Sequence, residues 1–69
     1  MAEEKISMDE FREHVVALLI STYAQGYDEA EIRAAVEECD MAIKNGYNIE
    51  YGIEYGIRYA ADNISMLCF

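Results

Sequence analysis

An all-α fold, three helices at about 8–25, 28–45 and 48–67 in one small domain, follows from three features of the chain. Apolar residues recur at helical spacing, two helix starts carry capping residues, and no proline interrupts the periodic stretches. At 69 residues the chain is a single acidic domain, 1–69, with residues 1–6 expected to be flexible. A chain this short buries roughly 60% of its unfolded surface, so its stability margin is narrow. A core shared between two copies would widen that margin, and a homodimer is expected.

The first helix opens at Ser7-Met8-Asp9-Glu10, a capping box in which the Ser7 hydroxyl accepts from the Glu10 N–H and Glu10 reaches back. Ile6 and Phe11 stand where a hydrophobic staple closes, and Gly26 suits a left-handed stop. Met8, Phe11, Val15, Leu18, Leu19 and Thr22 form one stripe, with Val16, Ile20 and Tyr23 on the next sector. That arc is wider than one neighbouring helix covers, which marks a central or dimer-forming helix.

The second helix repeats the start, with Asp28 as cap, Glu31 three residues on and Tyr27 facing Ile32. Ile32, Ala35, Val36, Cys39 and Ile43 point inward, and Asn45-Gly46 supplies the stop.

The last third is a tetrad repeat, YNIE-YGIE-YGIR-YAAD, over residues 47–62. Tyr and Ile at every odd position from 47 to 59 match a strand as well as a helix. The helical stripe Ile49, Ile53, Ile57 continues through Ala60, Ile64 and Leu67, whereas the alternation fails after Tyr59. A lone strand would also lack a partner, so helix is the better reading. Gly52 and Gly56, spaced with Ala60, leave a smooth groove for close approach of another helix, here read as a possible dimer seam.

Net charge restricts function more than any motif does. Fourteen acidic against five basic residues give −9, although 54% of the chain is hydrophobic. A disordered acidic tail lacks such an apolar fraction. The acidic surface repels nucleic acid and anionic membranes, so neither is expected as a direct ligand, and the longest apolar run is too short for a span. MAEEKIS shows no signal-peptide pattern, and a cytoplasmic location is expected. Cys39 and Cys68 lie far apart in sequence and are read as free thiols. His14, beside Glu10 and Glu13, is a surface or structural histidine. No metal, nucleotide or nucleophile motif is present, so no cofactor, no metal and no enzyme activity are expected.

Asp28, Glu29, Glu31, Glu37, Glu38 and Asp40 place six carboxylates on thirteen residues. That is roughly 20 Å of helix, over which a DNA strand presents about six phosphates. Glu50, Glu54 and Asp62 extend the charge among Tyr51, Tyr55 and Tyr59, whose rings suit interface anchors.

Small size, strong negative charge and helical pattern together resemble the DNA-mimic proteins of bacteriophages that block host DNA-binding proteins, including the histone-like nucleoid protein HU. The resemblance spans the chain but rests on composition and carries no motif. It implies carboxylates standing where phosphates sit, docked on the basic DNA-binding surface of a nucleoid-associated protein in the host cytoplasm. The competing reading is a small helical adaptor or antitoxin-like protein whose acidity serves solubility.

Overall fold

A computed structural model describes residues 6–69 and is entirely helical over them, with no strand. The chain forms α1 (Met8–Leu18), a π-helical turn (Leu19–Tyr23), α2 (Glu29–Glu38), α3 (Asp40–Tyr47) and α4 (Ile53–Cys68). Four α-helices therefore replace the three expected. The expected flexibility of residues 1–6 lies outside the described residues except at Ile6. Ile6 packs on the core, and its carbonyl accepts from the Tyr47 hydroxyl at 2.6 Å.

The Ser7 half of the first capping box forms as read. Ser7 Oγ accepts from the Glu10 N–H at 3.1 Å, and Phe11 behind it is buried. Past Leu18 the helix widens: the Ala24 N–H reaches back five residues to the Leu19 carbonyl at 2.7 Å. Gly26 then turns the chain at φ +96°, the left-handed conformation a Cβ disfavours. Asp28 occupies the cap of α2 in position only, since its side chain makes no capping hydrogen bond. Tyr27 turns away to meet Phe69 edge-on, ring centroids 4.6 Å apart.

The expected 28–45 helix breaks at Cys39 (φ −107°, ψ 46°). No glycine or proline lies at that position; the break has tertiary causes. It brings Asp40 within 2.7 Å of the Arg12 guanidinium on α1 and turns α3 against α4. Asn45-Gly46 is not a stop, because α3 runs through Gly46 to Tyr47. The expected start of the last helix at 48 moves to Ile53. Gly52 precedes it at φ +137°, outside the helix, and so cannot line a groove with Gly56.

Gly56 and Ala60 do form a smooth surface, and α3 of the same chain fills it. A Cβ built on Gly46 would stand 2.6 Å from the Gly56 carbonyl oxygen and 3.1 Å from the Ala60 Cβ. The glycine groove is thus an internal seam, not a free face for a second copy. Phe11 plugs the end of this seam, with Tyr47 edge-on to it at 5.4 Å.

The core gathers Phe11, Val15, Val16 and Leu19 of the first helix with Ile32, Ala35 and Val36 of α2. Ala24 after the π-helical turn, Ala42 and Ile43 of α3, and Ala60, Ala61 and Ile64 of α4 complete it. The isoleucine stripe of the last helix is only partly used. Ile64 is buried and Ile57 half-buried, but Ile53 and Leu67 are exposed.

Candidate acidic binding surface

Among the described residues every charged side chain lies at the surface or half-buried, none within the core. What separates the carboxylates is whether the chain itself supplies a cation. Arg33 holds Glu13 with two bonds of 2.7 and 2.9 Å and Glu29 with one of 2.9 Å. Its hydrogen bonds hold the Glu13 carboxyl below its ordinary range. Asp40 sits between Arg12 at 2.7 Å and Lys44 at 3.3 Å. Hydrogen bonds from Arg12 first, then Lys44, depress its pKa.

Glu29 and Asp40, both expected as phosphate surrogates, are therefore already partnered within the chain. Asp28, Glu31, Glu37, Glu38, Glu50, Glu54 and Asp62 are exposed and make no ion pair among the described residues.

A charge test separates the paired from the purely exposed acids. Asp40→Asn is expected to lower the melting temperature at neutral pH. The folded state favours the Asp40 carboxylate, so this stabilisation is present above the unfolded value of about 3.9 and is lost as acid protonates it below that. Parent and variant melting curves should converge once the pH has fallen through the lowered folded-state value of Asp40. A gap of unchanged size there would mean that Asp40 acts through packing instead of charge.

Glu37 and Glu38 occupy the last turn of α2, where no basic residue accompanies them. Carbonyl groups concentrate partial negative charge at that end, and carboxylates there are unfavourable. Glu31, one heptad before Glu38, lines with it a shallow depression that also includes Tyr27, Ala34, Cys68 and Phe69. Glu31 and Glu38 thus flank the Tyr27–Phe69 ring pair, a contact that the sequence spacing did not show.

The tyrosines expected as anchors stand elsewhere. Tyr51 is 84% exposed, Tyr55 54% and Tyr59 37%. Tyr51 and Tyr55 lean on one another with centroids 5.1 Å apart. Tyr55 and Tyr59 share a depression with Tyr23, Arg58 and Asp62, and a neighbouring one is lined by His14, Leu18, Glu54, Ile57 and Arg58. Arg58 makes no ion pair among the described residues. Glu31 and Glu38 therefore line a depression separate from those of the α4 tyrosines, where Asp62 lies with Tyr55 and Tyr59, and Glu54 with Tyr51 and Tyr55.

Among the described residues no group of three or more His, Cys, Asp or Glu is placed to hold a metal ion. No helix there is long and apolar enough to cross a membrane. No protein-family model, no curated protein and no solved structure matches the chain. Fold and surface define an acidic all-helical domain, and its function is argued from its own geometry.

Proposed function

We propose that this protein is an acidic DNA mimic that binds the nucleic-acid-binding surface of a basic, nucleoid-associated type of protein and blocks its access to DNA. The observation that carries the reading is the end of α2. Glu37 and Glu38 oppose the helix dipole, and among the described residues no cation offsets them there. A basic partner would offset that cost.

The charge scale agrees. A net charge of −9 along a molecule 40 Å in length is about one charge per 4–5 Å. A single DNA strand carries one per ~3.4 Å of axis. Phosphate surrogates are Asp28, Glu31, Glu37 and Glu38, with Glu50, Glu54 and Asp62 extending the field. Tyr27 and Phe69, set between acids, supply apolar contact in the middle of the charged face.

The test is competition. A basic nucleoid-type protein bound to labelled duplex should release the DNA as this protein is added, at a stoichiometry set by its own binding sites. DNA that stays bound at saturating amounts of this protein would overturn the reading.

A second reading, a helical adaptor, is favoured by the exposed ring face of Tyr51, Tyr55 and Tyr59, with Ile53 beside Tyr51 and Tyr55. Under it, Tyr51→Ala with Tyr55→Ala abolishes partner binding, while neutral α2 acids leave it intact. The same patch suits self-association, and the proposal includes a homodimer through this α1–α4 side that leaves the α2 acids open.

A further inference from the structure

Cys39 and Cys68, 29 positions apart in the chain, are brought into contact with their Sγ atoms 3.4 Å apart. Cys39 is the residue at which the α2–α3 path bends, and Cys68 ends α4. We propose that this thiol pair is a reversible redox site, converted to an intramolecular disulfide by exchange with a small-molecule disulfide or a disulfide-bearing oxidoreductase.

The geometry needs only a small adjustment. A disulfide bond is about 2.05 Å long, so the sulfurs close by roughly 1.4 Å. Cys68 is exposed in the last turn of α4, where Met66 and Leu67 are 76% and 75% exposed, while Phe69 beyond it is docked on Tyr27.

The two thiols differ in a way that orders the chemistry. Cys39 is half-buried, and its pKa is pushed up to about 11 by burial first, then by the hydrogen bond with Cys68, with Glu38 adding repulsion. Cys68 is exposed and meets the reagent. The Cys68 thiolate attacks one sulfur of R–S–S–R, forming Cys68–S–S–R and expelling RS⁻, which takes up a proton. Cys39 then gives up its proton and attacks the Cys68 sulfur, expelling the second RS⁻. The protein loses two protons and two electrons overall, and the reagent leaves as two RSH.

The product would staple the end of α4 to the bend between α2 and α3, beside Glu31, Glu38 and the Tyr27–Phe69 pair. It closes a loop of about thirty residues, which in a domain of this size raises the melting temperature by about 10–20 °C. The redox pair stands whether or not the acids bind a basic partner.

The experiment equilibrates the folded, reduced full chain with glutathione disulfide, followed by acid quench, mass spectrometry, peptide mapping and thermal melting. The expected product is a monomer lighter by two hydrogens, with a Cys39–Cys68 cross-link, the higher melting temperature, and full reversal by dithiothreitol. Cys39→Ser should stop at the mixed disulfide on Cys68. Cys68→Ser, altering an exposed side chain, should melt like the reduced parent and show no redox response. Free thiols after equilibration, mixed disulfides or chain-to-chain dimers as the end product, or a redox-dependent melting shift that survives Cys68→Ser, would each overturn the proposal.

Discussion

Gly56→Ala is expected to destabilise the fold by about 2 kcal/mol, although helix propensity alone would make it stabilising by about 1 kcal/mol. The sign is decided by the α3–α4 seam. An added Cβ at Gly56 would be pressed into the Gly46 carbonyl, with the Gly46 carbonyl carbon at 3.2 Å and the Phe11 ring at 3.5 Å. The obstructing atoms are backbone, so relief requires the helices to separate, and overpacking of this kind costs about 1–3 kcal/mol or more. A chain of 69 residues has a total stability of only about 3–10 kcal/mol. The variant should therefore melt about 8–16 °C lower than the parent. Gly46→Ala should act alike, and the double variant should lose less than the sum, because both open one seam. A rise in melting temperature for Gly56→Ala would contradict the packing described.

The second large effect concerns binding. Glu31→Gln, Glu37→Gln and Glu38→Gln together are expected to weaken capture of a basic DNA-binding protein about 30-fold, some 2 kcal/mol at about 0.7 kcal/mol per exposed charge pair. The same three changes should leave the melting temperature unchanged or raise it. None of these carboxylates is paired within the described chain, and two of them oppose the α2 dipole. Loss of affinity with gain of stability is a combination that a merely structural role does not produce. Asp40 is left out of the set because Arg12 and Lys44 hold it. Equal affinity for parent and triple variant would shift the weight to the tyrosine face.

Local signals in the sequence proved the most legible. The Ser7 cap needs only four consecutive residues, and the left-handed turn at Gly26 needs one. The inward set Ile32, Ala35, Val36 follows from spacing on a single helix. Helical character after Ile53 was also readable, because the apolar stripe outlasts the strand-like alternation. What failed depends on residues far apart in the chain. The bend at Cys39 exists because Asp40 meets Arg12 and Gly46 meets Gly56, and no local pattern encodes either meeting. The tetrad repeat hid a division of labour. Tyr47 lies before the loop, half-buried against Phe11, whereas Tyr51, Tyr55 and Tyr59 face outward.

The acidic surface was legible as composition but not as a site. Glu29–Arg33 and Asp40–Lys44 sit at the four-residue spacing of helical ion pairs. The longer links from Arg33 to Glu13 and from Arg12 to Asp40 required the fold. Together these links give two acids of the expected set, Glu29 and Asp40, a cation within the chain. The docking of Phe69 on Tyr27 places rings among the acids that remain, a contact set only by where α4 ends.

The most direct measurement is the affinity for a basic nucleoid-type protein across an ionic-strength series. If carboxylates replace phosphates, log affinity should fall steeply and linearly with log salt, as screening shortens from a Debye length of about 10 Å at 0.1 M. The triple Glu→Gln variant should give a visibly shallower slope. Binding of undiminished strength from low to high salt, with parent and variant superimposed, would contradict DNA mimicry by this surface.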